Sequence, residues 1–140
     1  MSRGATAGDV AAIATIEAEC FGTASWGEEL VRAQLVSDHR IVLIHDEVAY
    51  GVVSVMGEVA DLERIAVLPF ARRRGVAGEL LEQLIEAAGG HGANRMLLEV
   101  AADNDAAIEL YKAYGFTRIS TRTGYYPGRI DALIMERDIA

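Results

Sequence analysis

Arg72-Arg73-Arg74-Gly75-Val76-Ala77-Gly78 is the stretch whose residue types and spacing imply chemistry most directly. A glycine loop opening a helix offers unpaired backbone N–H groups, the positive end of the helix dipole and an approach free of Cβ atoms. Three arginines just before it add forked donors suited to phosphate oxygens. Together they describe a site for an anion with more than one phosphate. The competing reading of this loop alone is a solvated arginine turn in which Gly75 and Gly78 only allow close helix packing. Glu99, near the end of a central apolar run, is placed to act as a general base or, alternatively, as a salt-bridged strand-end carboxylate. Asn104 and Tyr111 lie seven residues apart, two helical turns, so one helix face carries both the amide and the phenol.

These groups require an ordered set of elements. Ile65-Ala66-Val67 reads as a buried strand before the loop, residues 79–86 repeat at helical spacing after it, and residues 95–100 form the next strand. Asp103-Asn104 then cap a helix that runs to Tyr114 and stops at Gly115. Strand, helix and strand in this order predict a parallel pair. Upstream, residues 41–44 and 48–56 form a hairpin, the latter interrupted at Gly51, and residues 61–67 add a third antiparallel strand ending at Leu68-Pro69. Residues 116–123 and 130–137 make a last hairpin with Tyr125-Tyr126-Pro127-Gly128 in its loop. At the start, residues 1–8 read as frayed. Asp9 caps a helix to about Cys20, with Val10, Ile13 and Ile16 inward and Glu17 and Glu19 on the wet side. A loop with Phe21, Ser25 and Trp26 leads to a second helix through about Ser37, with Leu30, Val31, Ala33 and Leu35 as its apolar positions. The fold class is α+β, a mixed sheet in a single domain spanning 1–140.

Composition excludes several classes. The 140 residues are 51% hydrophobic, enough for the core of one domain, and no apolar run approaches a membrane span. No basic region followed by an apolar stretch opens the chain, which suggests a soluble, cytoplasmic protein. Its single cysteine, Cys20, reads as a buried thiol, and His39, His45 and His91 lack ligand spacing, so no metal is expected. With 21 acidic against 13 basic residues the net charge is −8, which disfavours direct nucleic-acid binding and suits a cationic peptide, although much of it is ordinary solubility chemistry.

The loop Arg72-Arg73-Arg74-Gly75-Val76-Ala77 resembles the Arg/Gln-x-x-Gly-x-Gly/Ala signature of the GNAT acetyltransferases, with alanine at the last position. The similarity continues through Leu98-Glu99-Val100, Asn104, Ala106-Ala107-Ile108, Leu110-Tyr111, Gly115-Phe116, Tyr125-Tyr126-Pro127 and Asp131-Ala132. Cys20-Phe21 and Ser25-Trp26 extend it toward the N-terminus. These segments resemble the branch that acetylates the N-terminal alanine of a small-subunit ribosomal protein. The resemblance implies the GNAT fold, with antiparallel N-terminal strands, a central strand–helix–strand crossover and a C-terminal hairpin. It further implies that Arg72, Arg73, Arg74, Gly75, Val76, Ala77 and Gly78 hold the pyrophosphate of acetyl-CoA. Ile65, Ala66 and Val67 would pair through their backbone with the pantetheine arm, Asn104 would hydrogen-bond the cofactor, and Tyr111 would protonate the coenzyme A thiolate. Packing between helix and sheet is the competing role for Tyr111. Trp26, Tyr125 and Tyr126 would contact the peptide substrate, with plain packing as the alternative for each. Glu63 rivals Glu99 as base, and the short loop before Ile130 bears on peptide selectivity.

An α-amine with pKa near 7.8 is neutral in roughly one molecule in seven at pH 7, against about one in 2,500 for a lysine. An N-terminal acceptor therefore needs less help. Rival functions are acetylation of lysines or small amines, a dinucleotide-binding module with Glu99 on a ribose, and an idle acetyl-CoA sensor. The sequence leaves the oligomeric state open.

Overall fold

Apolar runs bounded by turn residues become seven strands of one sheet in the computed structural model, which describes residues 2–139. The elements are β1 (Ser2–Gly4), α1 (Val10–Phe21), α2 (Glu28–Leu35), β2 (Arg40–His45), β3 (Ala49–Met56), β4 (Val59–Val67), α3 (Val76–Gly90), β5 (Arg95–Ala101), α4 (Asp105–Ala113), β6 (Thr117–Tyr126) and β7 (Ile130–Asp138). Across the sheet they run β1-β2-β3-β4-β5-β7-β6, and only β4 and β5 are parallel. This is the expected α+β arrangement of antiparallel N-terminal strands, crossover and final hairpin.

The parallel pairing is brief. Val59, Ala60 and Asp61 face Arg95, Met96 and Leu97, after which both strands continue without pairing to each other. Just beyond Asp61 the β3–β4 register slips, because Val53 faces Leu62 and Val52 faces Arg64, leaving Glu63 as the extra residue of a bulge. A bulge bends and twists its strand. The sheet thus opens a wedge between the far ends of β4 and β5.

Helices cover the two faces unequally. Leu80, Leu81, Leu84, Ile85 and Ala88 bury one stripe of α3 against the sheet, and Ile108 and Tyr111 of α4 join the same core. On the other face Val10, Ile13, Ile16 and Val31 of α1 and α2 pack on Val42, Ile44, Val52 and Ala66. Those two helices lie over β2, β3 and β4. The same face of β5, β7 and β6 stays open to solvent at Glu99 and Arg122.

Several expectations need correction. The chain start is not frayed over residues 2–8: β1 pairs with β2, Ser2 facing His45 and Gly4 facing Leu43. Met1, the remaining residue of that expectation, and Ala140 lie outside the described residues. Asp9 does not cap α1 with its side chain. Its carboxylate instead accepts from the Thr6 amide at 2.8 Å and from both ends of the Arg3 guanidinium at 2.7 and 2.8 Å. Those bonds, the Arg3 contact above all, hold its pKa far below the ordinary aspartate value. Glu17 is not on a wet face but fully buried. Leu30 and Ala33 of α2 are exposed, and the helix ends at Leu35. Tyr125 and Tyr126 belong to β6 rather than to the loop after it.

Gly51 does not interrupt β3. It makes room for α3, since a Cβ there would lie 2.6 Å from Leu84 Cδ1 and 3.2 Å from the Arg64 carbonyl oxygen. Gly51→Ala is therefore expected to destabilise the fold by about 1–3 kcal/mol through overpacking. Chemical denaturation at equal m-value measures it.

Candidate active site

The wedge between β4 and β5 leads into a cavity of about 770 Å³ that Ile65, Ala66 and Val67 line on one side and the start of α3 on another. Strand backbone groups alternate in direction. Because the Leu68 amide bonds to the Val48 carbonyl across β3, those of Ile65 and Val67 turn toward the wedge. The Val67 carbonyl is already engaged there. It accepts from Arg72 Nε at 2.9 Å and from the Cys20 thiol at 3.3 Å. Ile65 and the Val67 amide are left to face the cavity.

The α3 start is built as the glycine loop predicted. Gly75 is the N-cap with φ +77°, a left-handed conformation that suits glycine, and no side chain caps the helix. The first-turn amides are therefore open to an anion. Gly75, Val76, Ala77 and Gly78 all line the cavity. Gly78 has a packing role as well, since a Cβ there would sit 2.1 Å from the Tyr114 hydroxyl. Arg73 also adopts a left-handed conformation, φ +64°, which costs a non-glycine residue roughly 1–2 kcal/mol. Arg72 and Arg73 line the cavity. Arg74 does not, so the three arginines are not equivalent.

Across the cavity stands α4. Asn104 is its N-cap, its Oδ1 accepting from the Ala107 amide at 3.3 Å, and both Asn104 and Tyr111 border the cavity as their two-turn spacing predicted. Tyr111 is 7% exposed, and burial, then the neighbouring Tyr126, push its pKa up to about 12. Its hydroxyl thus keeps its proton at all ordinary pH values. Residues that sequence reasoning missed also line this space: Cys20 and Phe21 from the end of α1, with Leu110 from α4 and Tyr114 just after it. Tyr114 was legible, being three residues beyond Tyr111 on the same face. Cys20 is half-buried at the cavity rather than sealed in the core.

The two candidate bases stand outside the cavity lining, near where β4 and β5 part. Glu99 keeps 32% of its side chain exposed and forms an ion pair with Arg122 Nη1 at 3.3 Å. Glu63 is held by both Nε and Nη2 of Arg40, at 2.6 and 3.3 Å. Burial and the charges of Glu63 and Glu99 raise the pKa of Asp61, so the three carboxylates share one neighbourhood. Tyr126 lies within electrostatic reach of both Glu99 and Tyr111, and burial followed by the Glu99 charge raises its own pKa. Tyr125 stacks edge-on against Tyr126, with ring centroids 5.1 Å apart, and Arg122 lies over the Tyr125 ring. Trp26 does not line the cavity; its ring stacks on Arg64. Among the described residues, no group of three or more His, Cys, Asp or Glu side chains is placed to hold a metal ion, and no helix is long and apolar enough to cross a membrane.

The arrangement can hold an elongated anionic ligand by its phosphates and presents a protonated phenol to it, with the Glu99 and Glu63 carboxylates beyond the lining where β4 and β5 part. Comparison with known proteins points to the same chemistry. Residues 10–116 match the acetyltransferase (GNAT) family. The ribosomal protein bS18-alanine N-acetyltransferase of Salmonella typhimurium is 38% identical over 117 residues, 81% of this chain and 75% of that protein. The N-alpha-acetyltransferase RimI of Mycobacterium tuberculosis is 33% identical, with 95% of this chain and 89% of that protein covered. The crystal structure of the ribosomal-protein-S18-alanine N-acetyltransferase from Escherichia coli matches at a TM-score of 0.88 and 32% identity over 100% of this chain and 94% of that one. With three quarters of its length inside the family match, this chain is a member of the acetyltransferase (GNAT) family.

Proposed function

We propose that the protein transfers an acetyl group from acetyl-CoA to the α-amine of a protein N-terminus, the N-terminal alanine of a small-subunit ribosomal protein. The observation that carries this reading is the cavity behind the β4–β5 wedge, which joins the uncapped start of α3 and the Tyr111 phenol in one chamber. Its relatives, named for bS18-alanine acetylation, point to the acceptor. A ribosomal acceptor implies action in the cytoplasm.

The residues present fit acetyl-CoA as co-substrate. Open amides of Val76, Ala77 and Gly78, with the Arg72 and Arg73 guanidinium groups, would hold its diphosphate. Ile65 would pair with the pantetheine amides in the manner of an added strand. Asn104 would hydrogen-bond the same arm. The peptide would lie on the uncovered face of β5, β7 and β6, between Trp26 and the Tyr125–Tyr126 pair.

Glu99 would then accept, through a water, the proton released as the amine nitrogen bonds to the thioester carbon. Tyr111 would give its proton to the sulfur as the C–S bond breaks. Solvent exchange returns one proton from Glu99 to Tyr111, so the cycle balances. Glu99 is preferred over Glu63 because its ion pair with Arg122 is a single contact near the surface, a type that contributes about 0.2–1 kcal/mol and is readily exchanged. The forked Arg40 contact ties Glu63 more firmly.

Alanine-first peptides with free or blocked N-termini, each carrying an internal lysine, test the acceptor assignment. Mass spectrometry should find acetyl only on the free α-amine; equal modification of both peptides would remove the claim. With the free peptide, kcat/KM should rise as the amine deprotonates through about pH 7.8 and then stay level to pH 10, because a phenol of pKa about 12 loses no proton over that interval. Tyr111→Phe and Glu99→Gln should each lower kcat about 10²-fold or more without weakening acetyl-CoA binding, as read by calorimetry. Arg73→Gly removes a guanidinium while relieving a left-handed residue. It should raise the acetyl-CoA dissociation constant about tenfold or more with no loss of thermal stability, whereas Arg74→Ala should leave that constant within about twofold.

A further inference from the structure

Behind the cavity lies a polar cluster that the acetyl-transfer chemistry does not use. Glu17 of α1 is fully buried, and its carboxylate accepts four hydrogen bonds from three parts of the chain. Arg64 of β4 donates from Nε at 3.0 Å and from Nη2 at 2.8 Å. The Tyr50 hydroxyl of β3 donates to Oε2, and the Trp26 amide, in the loop between α1 and α2, donates to Oε1 at 2.7 Å. Burial opposes the charge on Glu17, yet these donors outweigh it and its pKa lies below the ordinary glutamate value.

Arg64 makes the second connection to the same loop. Its Nη2 donates to the Ala24 carbonyl at 3.1 Å, and its guanidinium lies 4.1 Å from the Phe21 ring centroid and 4.4 Å from that of Trp26. Every one of these contacts falls between residues 21 and 26. Arg64 itself sits between the bulge residue Glu63 and the cavity residue Ile65. One guanidinium thus registers the loop against the stretch of β4 that bends away from β5.

A buried ion pair is a poor way to add stability, because desolvation offsets most of the attraction and apolar side chains of similar size do as well. What it adds here is direction. Hydrogen bonds to fixed lone pairs hold a loop backbone in one place, as apolar packing alone does not. We propose that Glu17 and Arg64 are positioning residues that hold residues 22–26 as a rigid lip over the open face, and that this lip sets the affinity for the acceptor rather than for acetyl-CoA. The acceptor part of the inference rests on the peptide path given above.

The test compares wild-type protein with Arg64→Lys and with the double variant Glu17→Met/Arg64→Met, which leaves no unpaired buried charge and should retain the fold. Acceptor KM with an alanine-first peptide should rise about tenfold or more in both variants, while the acetyl-CoA dissociation constant stays within about threefold. Hydrogen exchange should report faster amide exchange at residues 22–27, Trp26 above all, with α3 protection unchanged. An acceptor KM within about twofold of wild type, or acetyl-CoA affinity falling in step with acceptor affinity, would overturn the proposal. Unchanged exchange at Trp26 would overturn it independently of any substrate. If wild-type protein acetylates no peptide, the acceptor assignment fails by itself, and the exchange data still decide whether the pair holds the lip.

Discussion

The parting of β4 from β5 after three paired residues is the constraint around which the rest of the structure is arranged. A parallel pair in mid-sheet normally satisfies every backbone donor and acceptor between its strands, and unpaired groups there are costly. Here the cost is met locally. Arg72 and Cys20 cover the Val67 carbonyl, and the bulge at Glu63 turns the strand enough to widen the gap. What remains unpaired, chiefly at Ile65, faces a cavity of molecular size. Opening the sheet, lining the chamber and turning strand-like hydrogen-bonding groups toward it are three aspects of one backbone event.

Charge placement follows the same geometry. Asp61, Glu63 and Glu99 gather where the strands separate, and their mutual repulsion is eased by Arg40 on one side and Arg122 on the other. The cationic groups Arg72 and Arg73 stand at the α3 end of the cavity instead. A ligand with an anionic tail and an uncharged reactive end is therefore oriented before any side chain moves. An acidic chain of net charge −8 keeps its positive potential where a phosphate would arrive.

Much of this was legible in sequence because the relevant signals are local. The order of apolar strand, glycine loop and helical repeat identified the crossover, the Asn104 cap and two-turn spacing identified the α4 face, and both hairpins followed from their turns. The failures are all tertiary. Glu17 reads as a solvent-facing glutamate until Arg64, 47 residues away, is known to meet it. Ser2–Gly4 is too short to register as a strand and forms only because β2 offers it an edge. Asp9 has the residue type of a cap, but Arg3 and the Thr6 amide claim its oxygens first. Likewise the arginine run gives no hint that Arg72 and Arg73 line the cavity while Arg74 does not, or that Arg73 is left-handed.

The two ends of the sheet differ in one further respect. β1 closes one side with only three residues, while β6 closes the other with ten. A long outer strand with free amides invites another polypeptide to zip onto it. β6 does not offer a straight run, because its register with β7 slips between Arg118 and Ser120 and again between Arg122 and Tyr126, and the slips are flanked by cationic side chains. The irregularity that delivers Tyr125 and Tyr126 to the open face consequently also guards this protein against edge-to-edge aggregation.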